Sequence, residues 1–139
     1  MDEHRLPWAP QETPPYGPPT MGRLTTHVLD TAHGFPAAGL AIGLWRVDRD
    51  GGGRRLLREV RTNADGRTGA PLLNDDELAA GIYELVFAVG DYFAAQLTPA
   101  PSPPFLDRVP VRFGIADPAA HYHVPLLVSP WAYSTYRGS

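Results

Sequence analysis

The sequence predicts an all-β chain, a sandwich of two antiparallel sheets with one short helix, and three observations carry that expectation. Segments rich in β-branched, aromatic and aliphatic residues recur from Leu24 to the end of the chain. Turn-forming clusters, "HGFPAAG", "DRDGGG", "NADGRTGAP" and "ADPAA", separate them at intervals suited to a sandwich rather than to βαβ units. Only one stretch, "GDYFAAQL", reads as a helix, and it is short and partly amphipathic.

The elements follow in order. Residues 1–22 are crowded with proline and offer few apolar side chains, so they predict a flexible arm ahead of a single domain at 23–139. "LTTHVLD" opens the fold, and "LAIGLWRVD" and "RRLLREVRT" flank a hairpin turn at "DRDGGG". "GIYELVFAV" leads into the helix, which the proline-rich "TPAPSPP" stops. In "RVPVRFGI", Pro110 cannot donate to a ladder, which places that strand at an edge or turns the proline away from a partner. "HYHVPLLV" and "WAYSTYR" close the chain, which ends on "YRGS" immediately behind a strand pattern.

Composition narrows the function classes. The 139 residues, 43% hydrophobic, suit one domain with a real core. The net charge of -3 and the scattered arginines give no footprint for nucleic acid. There is no cysteine, which removes disulfides and thiolate chemistry. Neither a secretory signal pattern nor an apolar run of membrane-spanning length appears, so the expectation is a soluble, cytoplasmic protein with no membrane partner.

Strand parity locates the chemistry, because residues two apart share a face. His27 and Leu29 fall together, as do His121, His123, Pro125 and Leu127, while Tyr122, Val124, Leu126 and Val128 form an apolar set facing the core. In the last strand Ser134 and Tyr136 oppose Trp131, Tyr133 and Thr135, and both faces are mixed. If these strands are neighbours, the outer face joins imidazoles to aliphatic carbons, a composition suited to a subunit interface or a ligand groove. Taken singly, His27 or His123 reads more readily as a histidine packed on a surface strand, and Arg67 equally as a solvated residue behind a turn. His4 and His33 read as solvated. No third ligand recurs at metal-binding spacing, so no metal or other cofactor is expected.

Four separated motifs, "LTTHVLDTAHGFPA", "TNADGRT", "PPFLDRVPVRFGI" and "HYHVPLLVSPWAYSTYRGS", resemble the 5-hydroxyisourate hydrolases, transthyretin-like enzymes of urate degradation. The resemblance runs from about Leu24 to Ser139. It implies a transthyretin-like sandwich assembled as a homotetramer, a dimer of dimers whose central channel holds the site. It also implies catalytic roles for His27, Arg67, His123 and Ser139, and substrate contacts from His27, Arg67, Tyr136, Arg137 and Gly138. The substrate implied is 5-hydroxyisourate, opened hydrolytically without a cofactor. A carrier of transthyretin type, holding a small molecule without reacting, is the alternative.

Overall fold

A computed structural model describes residues 22–138; Ser139, His4 and the rest of the expected arm at 1–21 lie outside the described residues. Gly22, assigned to that arm by its sequence, is buried where a Cβ would strike the Pro118 carbonyl and Leu78.

One sheet is formed by β4 (Ala41–Val47), β5 (Arg54–Arg61), β6 (Gly81–Ala88) and β7 (Arg108–Ile115), in the antiparallel order β5-β4-β6-β7. The hairpin at "DRDGGG" closes through Asp48 N–H to the Gly53 carbonyl at 2.8 Å. Pro110 sits on edge strand β7 and is exposed, so its missing N–H costs the ladder nothing.

The facing layer uses shorter strands. It comprises β1 (Arg23–Thr25), β2 (Val28–Asp30), β3 (Phe35–Pro36), β8 (His121–His123), β9 (Leu126–Val128) and β10 (Tyr133–Thr135). Four of these run in the order β10-β9-β2-β3, while β1 pairs with β8. The expectation of two wholly antiparallel sheets holds for the first sheet only, because β1–β8 and β2–β9 are parallel. A parallel pair needs a long crossover, and here the entire first sheet supplies it.

"LTTHVLD" is also divided, at Thr26–His27, opposite the break that Pro125 makes between β8 and β9. Pro125 has no N–H to donate. The register survives because Val124 and Leu126 donate to the Thr25 and His27 carbonyls, both at 2.9 Å, and the Thr26 hydroxyl donates to the Val124 carbonyl at 2.7 Å. Parity therefore continues across the break: Leu24, Thr26, Val28 and Asp30 are buried, and Thr25, His27 and Leu29 lie on the outer, half-buried face.

Tyr122, Val124, Leu126 and Val128 enter the core against Leu44, Leu85, Phe87 and Val109. Pro125 is buried too, although its parity places it with the outer residues. The helix, α1 (Val89–Ala94), continues directly from β6 and buries Val89, Tyr92 and Phe93. It stops short of the expected Leu97.

Tyr92 also ties the helix to the sheet. Its hydroxyl donates to Asp30 Oδ2 at 2.8 Å, and His33 donates to the same buried carboxylate from Nδ1 at 2.7 Å and from its backbone N–H at 3.0 Å. His33 is the exposed turn residue its sequence context implied, and it is also stacked on Phe35 and hydrogen-bonded to Asp30. Burial alone would raise the Asp30 pKa, but the His33 and Tyr92 hydrogen bonds outweigh it and hold the carboxyl below its ordinary value.

Candidate active site

The candidate site grows from the parallel register of β1 on β8, which sets Thr25 opposite His123 and Arg23 opposite His121. Thr25, His121, His123 and His27 all project from the outer face and are half-buried. The Thr25 Oγ1 lies 2.8 Å from His123 Nδ1 and 3.1 Å from His121 Nε2, so one hydroxyl joins both imidazoles.

Arg67 arrives by a loop rather than a strand. Asn63 organises it: its Oδ1 accepts the N–H groups of Asp65 at 2.9 Å and Arg67 at 3.1 Å, and its own N–H donates to the Arg67 carbonyl at 2.7 Å. Gly66 has φ of 75°, and a Cβ there would strike the Val28 carbonyl, so this position requires glycine. The Val28 N–H, left without a strand partner at the break, donates to the Gly66 carbonyl at 2.9 Å and clamps the loop beside His27. The His27 Nε2 meets the Asp65 carbonyl at 2.8 Å, so it carries the proton there.

Charge follows this geometry. Burial, then the Arg67 guanidinium, then His121 and His27, push His123 below an imidazole's ordinary pKa. Burial, then Arg23 and Arg137, do the same to His121. Both rings are therefore neutral near pH 7, when an imidazole has a lone pair available for a proton. Among the described residues, no group of three His, Asp or Glu side chains is placed to hold a metal ion.

The chain end reaches the same imidazole. Gly138 N–H donates to the His123 carbonyl at 2.8 Å, and the two residues form an isolated bridge. Gly138 packs so closely on the ring that a Cβ there would lie 2.6 Å from His123 Cδ2. His27, Arg67, His123 and Gly138 are thus drawn together from four stretches of sequence.

Tyr136 and Arg137, the other residues of the closing motif, lie along the sheet edge next to His121. Arg137 donates to the His121 carbonyl at 3.2 Å, and its guanidinium lies 4.2 Å from the centre of the Tyr122 ring. Tyr136 and Arg137 line a cleft of about 270 Å³ against β7, together with Phe113, Tyr122 and Val124. The physical reason is that the chain leaves β10 after Thr135, whose hydroxyl is held by the Pro125 carbonyl at 2.7 Å, and the cation stacking draws it round the sheet edge. Thr25 and His121 are the residues that motif reading did not single out for the site. Their only sequence signal is parity, which places His121 on the His123 face.

Comparison with known proteins settles the lineage. The family model described as HIUase/Transthyretin matches residues 24–138. The chain belongs to the HIUase/Transthyretin family. A relative from Mesorhizobium japonicum named 5-hydroxyisourate hydrolase is 64% identical over 118 residues, which cover 85% of this chain and 93% of the relative. A solved structure of (S)-allantoin synthase matches with TM-score 0.79 and 50% identity, covering 86% of this chain but 44% of that protein. Transthyretin from Sparus aurata matches with TM-score 0.72 and 28% identity over 84% of this chain and 96% of its own. Within this family the same sandwich thus underlies proteins named as enzymes and as transthyretin, and the site residues must distinguish them.

Among the described residues no helix is long and apolar enough to cross a membrane.

Proposed function

We propose that this chain hydrolyses 5-hydroxyisourate to 2-oxo-4-hydroxy-4-carboxy-5-ureidoimidazoline, a step of urate degradation, on the face that joins His27, Arg67 and His123. The observation that carries the reading is His123, kept neutral by burial and by Arg67 while resting against the chain end. A neutral imidazole beside a fixed guanidinium suits hydrolysis of an amide-like ring bond.

The base takes a proton from water as the oxygen adds to the ring carbonyl carbon, and Arg67 stabilises the charge that gathers on the carbonyl oxygen. The C–N bond then breaks. The imidazolium returns its proton to the departing nitrogen, leaving a carboxylic acid on the opened ring, which gives its remaining proton to solvent near pH 7. His27 and His123 divide the proton work, Gly138 packs against His123, and Ser139 keeps the catalytic role that its motif implies. Arg137 serves this reading by anchoring the end on Tyr122. No cofactor takes part.

The functional unit is a homotetramer, a dimer of dimers, in which a second copy covers the half-buried face of His27, Leu29, His121 and Leu127. We place it in the cytoplasm, where its substrate would be a soluble metabolite. The carrier alternative gains no support from the relatives' names, since the 64% identity is to a named hydrolase and the likeness to Sparus aurata transthyretin stands at 28%.

The test is the ultraviolet decay of freshly generated 5-hydroxyisourate, with a chelator present, for wild type, His27→Asn, Arg67→Lys, His123→Asn and a chain ending at Tyr136. Loss of a proton-transfer group lowers kcat by about a hundredfold or more. Near-native turnover in all four variants overturns the assignment. Sedimentation of a monomer would remove the composite site.

A further inference from the structure

We propose that Thr25 and His121 are positioning residues that fix the tautomer of His123. The Thr25 hydroxyl accepts the His123 Nδ1–H and donates its own proton to His121 Nε2, leaving His123 Nε2 bare to accept a proton from water. The inference deepens the hydrolase reading and rests on it for the identity of the base.

The reasoning begins with donor counting. A hydroxyl has one proton to donate, yet Thr25 Oγ1 is within hydrogen-bond reach of two ring nitrogens, at 2.8 Å for His123 Nδ1 and 3.1 Å for His121 Nε2. The hydroxyl can accept from both nitrogens but can donate to only one, so at least one ring carries its proton on the nitrogen that faces Thr25. If both rings donate, His123 is again protonated on Nδ1; where the hydroxyl gives its own proton to a ring, two arrangements remain. In the first, His123 donates from Nδ1 and His121 accepts at Nε2. In the second, the roles are exchanged and the single proton of His123 sits on Nε2, where no lone pair remains for water.

His121 is next to Arg23 across the β1–β8 ladder, and its backbone carbonyl binds the Arg137 guanidinium at 3.2 Å. With burial, those cations hold its ring below an imidazole's ordinary pKa, so His121 meets Thr25 as a neutral ring able to accept at Nε2. What favours the first arrangement is the reaction cycle. When His123 gains a proton on Nε2 its Nδ1–H still points at Thr25, so no hydrogen bond reverses between the neutral and charged states. Such a network is already arranged for the imidazolium and needs no reorganisation as charge develops. In the second arrangement Thr25 must rotate its hydroxyl during every turnover.

Thr25 is well placed for this duty. Its backbone is held by Val124 N–H at 2.9 Å, and its β-branched side chain is stiff about χ1. The chain of contacts acts on His123 through its far nitrogen, as hydrogen-bond partners behind an active imidazole generally do. Neither Thr25 nor His121 need touch substrate.

The experiment uses full-length protein labelled with 15N-histidine, read by long-range 15N–1H correlation near pH 7.5, together with kinetics. Wild type is expected to show His123 protonated on Nδ1. In Thr25→Val a mixture with the Nε2–H tautomer appears, and kcat falls about ten- to a hundredfold with KM little changed. Thr25→Ser, which keeps the hydroxyl, restores both the tautomer and kcat to within a few-fold. A wild-type His123 protonated on Nε2 overturns the proposal, as does Thr25→Val with native kcat. If Thr25→Val fails to fold, the wild-type spectrum still decides. If the protein does not consume 5-hydroxyisourate, the hydrolase reading fails while the spectrum tests the tautomer by itself.

Discussion

Gly138→Ala isolates the contact between the chain end and His123. Its φ lies outside the left-handed region, so alanine meets no backbone strain and only the added carbon is tested. That carbon would sit 2.6 Å from His123 Cδ2 and 3.3 Å from Cγ, whereas carbon atoms rest at about 3.5–4.0 Å. Relief therefore needs a displacement of roughly 1 Å by the ring or by the chain end, and the magnitude that follows depends on which yields. The ring is tied to Thr25 at 2.8 Å, while the end is joined to His123 through one backbone bond of 2.8 Å. Releasing that bond costs about 1 kcal/mol, so Tm falls by only a few degrees. A catalytic constellation disturbed by about 1 Å loses up to a hundredfold in rate, so kcat/KM is expected to drop ten- to a hundredfold. The assay is 5-hydroxyisourate decay, with thermal unfolding followed in parallel by circular dichroism. Native kcat/KM would refute the view that the chain end braces His123 for catalysis. A collapse of Tm would refute the view that the strain is relieved at the terminus.

Two further predictions concern the supports of the site. Asp30→Asn removes the carboxylate shared by His33 and Tyr92 and should lower the unfolding free energy by about 2–3 kcal/mol near pH 7 in urea titrations. Because Asp30 has a lowered pKa in the fold, its contribution is complete above the unfolded value near 3.9 and is lost as pH falls through the folded value. Stability measured from pH 5 downward should therefore decline more steeply in wild type than in Asp30→Asn, and equal slopes would contradict the carboxylate's role. Gly66→Ala combines a positive φ of 75° with a clash on the Val28 carbonyl, so it should cost about 2–4 kcal/mol and raise KM by displacing Arg67. Unchanged stability and KM would show that the loop relaxes without moving the guanidinium.

Residue alternation determined much of this protein in advance. Leu24 and Val28 on one segment, and Tyr122, Val124, Leu126 and Val128 on another, announce their buried face because neighbouring side chains in a strand must point opposite ways. Pro110 announced an edge strand or a proline turned from its partner, for the equally local reason that it lacks an N–H, and the strand is an edge. The motifs then carried the resemblance to the family, and with it His27, Arg67 and His123.

Only the tertiary structure decided what those faces meet. The parallel pairing of β1 with β8 joins residues 98 positions apart, and it alone puts the Thr25 hydroxyl between two imidazoles. The same holds for Asp30, whose Tyr92 partner lies 62 residues away, and for Arg137, which stacks on Tyr122. Alternation is a property of each chain segment, whereas partner choice and register emerge from burying every segment at once. Sequence could therefore specify which side chains face outward, and only the folded chain could specify which nitrogen meets which oxygen.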